Sequence, residues 1–293
     1  MKSNNSHKKL TPQQEQEFFA KLEVPYQRSK SEVWEKLSAK IDETPVSEKK
    51  SAVKVVSLNR KRVYLSVAAS FLLLAGVSLF ARLYTKTIQV NAGEFTSHTL
   101  PDGSQVHLNA ETKIAYAPYW WRFSRKVNLD GEAFFEVAKG KKFQVISGRG
   151  ITEVLGTKFN IKARGASYEV YCTEGKVGVE DYKAHKVILL PGELAKFRNK
   201  DLKKYAKEVK QEAILSWRLN KFIYNTTPLA KVLKDVERHY NVKVQTALTD
   251  LDGYSYTGIF SRSVSAEEAL KVICVSLGLS LENTKSHSFV IKK

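Results

Sequence analysis

Nineteen consecutive residues, Val63–Ala81, carry no charge, and they follow directly on Arg60-Lys61-Arg62. As a helix rising ~1.5 Å per residue, such a run spans about the ~30 Å of a bilayer's hydrocarbon core. Ten of its residues are Leu, Val or Phe. Those ten contribute roughly 3–6 kcal/mol toward insertion, from which Ser66, Ser70 and Ser78 subtract a little. A cleaved leader has a short basic start, whereas 62 residues precede this run. A buried core helix would be shorter and would keep a polar face. The run therefore predicts one transmembrane helix, bounded at 63–84.

Orientation follows from the flanking cations. Lys49, Lys50, Lys54, Arg60, Lys61 and Arg62 precede the span, and only Arg82 and Lys86 lie close after it. Positive-inside counting places residues 1–62 in the cytoplasm and the larger C-terminal part across the membrane. The net charge of +18 divides as +6 for residues 1–62, +1 for Arg82 and +11 for residues 83–293. So basic a chain invites a nucleic-acid reading. Most of the excess lies on the far side of the membrane, however, where a basic surface faces anionic lipid or wall polymer instead. Direct nucleic-acid binding is therefore not expected. Cys172 and Cys274, 102 positions apart, form no disulfide framework and read as buried thiols.

Residues 1–62 are too short and too polar to hold a large core. They offer two amphipathic helices. One covers about Pro12–Leu22, with Phe18 and Phe19. The other covers about Lys30–Ile41, where Val33, Trp34, Leu37 and Ile41 recur at helical spacing and Ser31 is placed to cap. Either the two helices pack together as a small hairpin, or their apolar faces await a partner's groove. A Trp and two Phe in so small a piece favour the second. The segment lacks glycine altogether and so holds no phosphate-binding loop; it can bind but not catalyse. Beyond Ile41 a polar stretch with Pro45 leads to the membrane.

After the span, short alternating runs broken by turns predict an all-β domain over 85–205. The sharpest turn is Leu100-Pro101-Asp102-Gly103-Ser104, joining Phe95–Leu100 to Val106–Asn109. Val127–Leu129 and Ala133–Val137 read as separate strands with a bend at Gly131. Gly156, Gly175 and Gly192 mark other bends. Spacing alone leaves sandwich, barrel and strand-based solenoid open.

From residue 213 to 293 the period changes. Lys221–Tyr224 reads as a strand, Thr227-Pro228 as a helix start with Thr as N-cap, Leu229–Tyr240 as an amphipathic helix ended by Asn241, and Val242–Val244 as a strand. The scheme returns 37 residues later. Ser265-Ala266-Glu267-Glu268 is a capping box, Gly278 ends the helix and Leu279–Leu281 is the strand. Leu233 aligns with Leu270, Val236 with Ile273, Tyr240 with Leu277 and Val242 with Leu279. Two βαβ-like halves thus predict a small α/β domain, closed by Phe289–Ile291, with Thr246–Gly258 as a connection between halves.

An enzymatic reading has little to stand on. Asp130, Glu132 and Glu136 could form a carboxylate set only if no bulge intervenes at Gly131. His98 and His107 have no third ligand nearby, and no Gly-x-Ser-x-Gly elbow occurs. No catalytic residue, metal or cofactor is expected.

The blocks T-L-P-D-G-S-Q-V-H-L-N-A (99–110), L-D-G-E-A-F-F-E-V (129–137), V-L-G-T-K-F-N-I (154–161), E-G-K-V (174–177) and L-P-G-E-L-A (190–195) resemble, in order, the FecR family of transmembrane anti-sigma regulators. The C-terminal module is similar to the one common in Bacteroidetes-type members and, in fold, to the short N-terminal domains of secretins and TonB-dependent receptors. The resemblance implies a solenoid-like all-β periplasmic domain, an inner-membrane location and no catalysis. It implies an extracytoplasmic-function (ECF) sigma factor held by the cytoplasmic helices, on Val33, Trp34, Leu37 and Ile41, with Phe18 and Phe19 secondary. It further implies a periplasmic partner, the signalling domain of a TonB-dependent outer-membrane receptor. Membrane proteases would end the signal with a cut inside the span, expected at Ala75, Gly76, Val77 and Ser78, where Gly and Ser weaken a helix. A membrane-tethered wall- or glycan-binding module is the alternative, using the aromatic cluster Tyr116, Tyr119, Trp120 and Trp121.

Overall fold

The structure, a computed structural model, describes residues 11–21, 28–43, 60–165, 167–198, 201–205, 210–248, 250, 251, 253–285 and 287–293. The chain divides into two compact units, Met1–Val63 and Tyr64–Lys293.

The first unit holds two helices, α1 (Pro12–Ala20) and α2 (Lys30–Glu43). Pro12 opens α1, with the Thr11 N–H donating to Gln14 Oε1 at 3.2 Å. The expected end at Leu22 lies outside the described residues, as does most of the polar stretch leading to the membrane. At α2 the capping residue is Ser29, not Ser31. The Glu32 N–H donates to Ser29 Oγ and Ser29 N–H to Glu32 Oε2, both at 3.4 Å. Ser31 is already helical, so its hydroxyl no longer faces the free amides of the first turn.

The uncharged run lies in α3 (Arg60–Leu83), 24 residues long with no residue buried in protein. It is long and apolar enough to cross a membrane and fits a single-pass membrane protein.

The second unit continues into a β domain. Its strands are β1 (Lys86–Val90), β2 (Thr96–Thr99), β3 (Gln105–Leu108), β4 (Thr112–Tyr116), β5 (Arg125–Glu136), β6 (Phe143–Ile146) and β7 (Gly150–Val154). After these come β8 (Lys158–Arg164), β9 (Ser167–Glu174), β10 (Val177–Asp181), β11 (Lys186–Leu189), β12 (Leu194–Arg198) and β13 (Asp201–Tyr205). They pair as one 13-stranded sheet, all antiparallel except β5 with β6. The expected turn forms between β2 and β3. Gly103 takes φ +83° and its N–H donates to the Leu100 carbonyl at 2.9 Å.

Strand β5 organises the domain, and here the expectation of two strands is corrected. The chain stays in one strand through Gly131, and this residue bends it from one wing of the sheet into the other. Residues before Gly131 pair with β4 and β6, whereas those from Gly131 onward pair with β3 and β8. Gly131 has φ +125°, and a Cβ there would lie 2.6 Å from the Thr112 Cα. Only glycine fits both the angle and the contact. The core fills the space between the wings, with Val127, Phe143 and Val177 from one and Val106, Phe135, Phe159 and Val170 from the other. Phe135 stacks on Phe159 at 5.1 Å and meets Phe143 edge-on at 6.1 Å. Cys172 is buried in this core and Cys274 in the next, both as free thiols.

A short helix, α4 (Gln211–Ile214), and a 3₁₀ turn (Ser216–Leu219) lead to the C-terminal module. Its elements are β14 (Lys221–Pro228), α5 (Leu229–Tyr240), β15 (Lys243–Thr246), β16 (Ser255–Ser261), α6 (Ala266–Ser276), β17 (Ser280–Lys285) and β18 (Ser288–Lys292). β14 pairs with β16, while β15 and β17 flank β18. Thr227 does not cap α5. It stays in β14, paired with Tyr256, and Pro228 precedes the first turn. β16 also begins within the stretch read as a connection. The capping box on α6 forms, with Ser265 Oγ accepting from Glu268 N–H at 3.2 Å and Ser265 N–H donating to Glu268 Oε2 at 2.9 Å. Leu233, Val236 and Val242 and their repeat partners Leu270, Ile273 and Leu279 are buried in one core.

Candidate functional site

On the first unit, α1 and α2 display apolar side chains to solvent. Trp34 is 73% exposed, Ile41 65% and Leu37 51%, while Val33 is half-buried. Trp34, Leu37 and Ile41 fall at i, i+3 and i+7, so they share a face, and Val33 stands one turn before Leu37. On α1, Phe18 and Phe19 are also exposed, their rings 5.8 Å apart and edge-on. Isolated exposed apolar residues are ordinary, whereas here several lie together on one short helix. Ala75, Gly76, Val77 and Ser78 lie in α3, all exposed.

The second unit contains a polar seam between the β domain and the C-terminal module. Strands β5, β8, β9 and β12 carry Glu132, Lys162, Glu169 and Lys196 on their outer face, and α5 brings Lys231, Asp235 and Arg238. These groups line a cavity of about 360 Å³ together with Trp217, Tyr224 and Arg262. Glu132 is buried, and its oxygens accept from Asn109 Nδ2 at 3.0 Å and Asn160 Nδ2 at 3.3 Å. Lys162 lies opposite Glu169 across the β8–β9 pair and 3.7 Å from Asp235. Burial works against the Lys162 charge, but Glu132, Asp235 and Glu169 outweigh it and hold its ammonium above the usual lysine value. Burial likewise opposes the Glu169 charge, and Lys231, Lys196 and Lys162 overcome it to hold that carboxyl below its usual range. Trp217 donates from Nε1 to Asn160 Oδ1 at 3.3 Å, and Arg218 lies 3.9 Å above the Phe134 ring. Of the charged groups lining the cavity, three are carboxylates and five are cations, interleaved so that the module packs on the β domain through opposite charges.

The carboxylates considered for catalysis do not converge. Asp130 is exposed, Glu132 is engaged by the two asparagines, and Glu136 pairs with His107 at 3.1 Å and Arg218 at 3.3 Å. His98 lies 2.8 Å from the Tyr116 hydroxyl. Among the described residues no cluster suited to a metal ion occurs. The aromatic cluster splits. Tyr116 and Trp121 belong to the core, while Tyr119 is exposed and Trp120 half-buried. A stacking platform for a sugar is thus not assembled from the four rings.

The seam was not anticipated from sequence, and one signal for it was present. Lys162 and Glu169 are opposite charges placed symmetrically around the Gly165 turn, a cross-strand pair that a hairpin reading would have found. The contribution of α5 carried no local signal.

Two family models match this chain, "FecR protein" over residues 86–178 and "FecR, C-terminal" over residues 221–291. No curated protein sequence matches it. Two crystal structures, at 2.50 Å and 1.65 Å, of a candidate anti-sigma factor from Parabacteroides distasonis ATCC 8503 are similar to it. Each is 30% identical with a TM-score of 0.65. They cover 72% and 71% of this chain and 99% of the other. The family matches fall in both the β domain and the module docked on it, and together with the likeness to these structures they settle the assignment: the chain belongs to the FecR family of anti-sigma factors.

Proposed function

We propose that this chain is a single-pass inner-membrane regulator that holds an ECF sigma factor on its cytoplasmic side and reads a TonB-dependent outer-membrane receptor on its periplasmic side. The observation that carries this reading is the exposed row Trp34, Leu37 and Ile41 on α2, flanked by Val33, in a family whose members bind sigma factors. Phe18 and Phe19 on α1, exposed as well, are the secondary contacts. Helix-in-groove binding would bury these side chains, and aromatic anchors carry most of the energy in such contacts.

The division of labour is residues 1–62 for sigma-factor binding, 63–84 for the span, 85–205 for the FecR-type domain and 213–293 for the C-terminal module. The cation excess before the span supports an N-in orientation. A solenoid-like winding of the β domain and a βαβ-repeat origin of the C-terminal module belong to the same proposal, the latter supported by the buried repeat pairs. Transmission through one helix needs an element with two states. Stepwise proteolysis ending at Ala75–Ser78 supplies it by releasing residues 1–62 together with the part of the helix before the cut, and membrane proteases are then partners.

The test is a co-expression pull-down with residues 1–62 and 83–293 used separately. Residues 1–62 are expected to retain the sigma factor and residues 83–293 the receptor's signalling domain. Failure of residues 1–62 to capture any sigma factor overturns the reading.

A further inference from the structure

The loop 117–124, between β4 and β5, presents large aromatic rings beside the end of α3. Trp121 anchors it inward, edge-on to Tyr116 at 5.5 Å and to Phe143 at 5.8 Å. With that residue pinned, its neighbours point out: Tyr119 is 62% exposed and Phe123 70%. The Trp120 ring lies tilted against Phe123 at 4.6 Å, and the turn closes with Phe123 N–H donating to the Trp120 carbonyl at 3.0 Å. The other side of this aromatic group is the last turn of the apolar helix. Tyr119 lies 6.4 Å from Phe80 and 5.3 Å from Tyr84, and the Arg82 guanidinium lies 6.0 Å from the Trp120 ring.

Resting on the reading of α3 as membrane-spanning, we propose that loop 117–124 is an interfacial anchor. Tyr119, Trp120 and Phe123 seat in the headgroup layer of the leaflet where α3 emerges. Three observations commit the site to lipid. First, only Tyr84 and Thr85 separate α3 from β1, which allows at most about 7–10 Å between helix and domain. The leaflet is therefore within reach of the loop. Second, the exposed types are Tyr, Trp and Phe, the first two being those that favour the boundary between hydrocarbon and water. Third, the stretch Ala117–Lys126 contains no acidic residue. Exposed Arg122 and Lys126 face outward, and Arg82 stands at the helix end, as binding to anionic phosphates requires. Arg125 is not part of this set; it is committed inward to Asp102 at 2.8 Å. The anchor would hold the β domain against the bilayer at a fixed tilt, so that a pull on the C-terminal module loads the helix rather than swinging the domain.

Site-directed spin labelling of the full chain in lipid nanodiscs tests this. Phe123→Cys and Tyr119→Cys place labels at exposed positions, and the buried native thiols leave the label selective. Leu73→Cys in mid-span is the reference. In nanodiscs containing anionic phosphatidylglycerol, labels at 123 and 119 are expected to collide several-fold more with oxygen than with a water-soluble nickel complex. In pure phosphatidylcholine that ratio should fall. If the Leu73 label is deep while the labels at 123 and 119 are fully aqueous, the anchor is overturned and the spanning helix stands. If the Leu73 label is itself aqueous, the spanning reading fails and the anchor with it.

Discussion

Arg238 on α5 donates from Nε to the Glu111 carboxylate at 2.9 Å, across 127 positions of sequence. The same guanidinium reaches Asp235 at 2.9 Å, and the Arg238 carbonyl accepts from the Gly93 N–H at 2.8 Å. One residue thus fastens the C-terminal module to the connections on either side of the β2–β3 hairpin. Glu111 is half exposed, so the ion pair alone contributes only about 0.5–1 kcal/mol. Arg238→Ala should therefore loosen the seam without unfolding either core. Amide exchange should quicken at Gly93 and in 211–240, while Phe135 and Phe159 keep their protection.

Gly131→Ala should be among the most damaging single-methyl changes in the β domain. The added Cβ would meet Thr112 at 2.5–2.8 Å, at a φ of +125°. Strain and overpacking together cost about 3 kcal/mol or more. Gly148→Ala meets nothing within 4 Å and should change stability by under about 0.5 kcal/mol. Chemical denaturation of the two variants in detergent checks the contrast.

Trp34→Asp should weaken sigma-factor capture strongly while leaving the second unit's thermal transition in place, because Trp34 is 73% exposed. A central aromatic anchor is worth about 2 kcal/mol or more, a loss of roughly 30-fold in affinity. Binding titrations with residues 1–62 read it directly.

Acid should weaken the second unit in two steps. Burial, with Lys86 nearby, holds His98 below the usual 6.5; burial and then the Arg262 charge do the same for His239. His98 also faces the Tyr116 hydroxyl, and His239 packs on Phe222 and Tyr240 and lies 3.1 Å from the Arg262 carbonyl oxygen. A base with a depressed folded pKa stays neutral in the fold while the unfolded chain takes the proton. Stability is thus full above about 6.5 and falls as the pH drops through the folded values. A second loss follows below about 4.5 as Glu153, Glu169 and Asp181, all held below their usual range, are protonated. Melting temperature against pH should show both, and His98→Gln with His239→Gln should remove the first.

Neither thiol should react in the native protein. Burial pushes Cys172, helped by Glu193, and Cys274 up to about 11. Ellman's reagent should find no thiol before unfolding and both after it, with no reductant needed.

How far the sequence reached can be argued from single residues. Val63–Ala81 determined a helix long and apolar enough to cross a membrane, because hydropathy and length act within one segment. Leu100–Ser104 determined a turn and Ser265–Glu268 a cap, since the groups that satisfy each other lie within a few positions. The repeat pairing Leu233 with Leu270 also declared which helical faces turn inward. Tertiary structure decided the rest. In β5, residues 131–135 are buried on both faces, so the period of two disappears and Glu132 sits inside. That happens because the 3₁₀ turn Ser216–Leu219 and the C-terminal module cover the outer face of this wing. Whether Lys162 meets Asp235, or Arg238 meets Glu111, depends on which surfaces are pressed together, and no spacing along the chain encodes that. Local chemistry named the elements; burial by distant segments chose which charges were enclosed and became the seam.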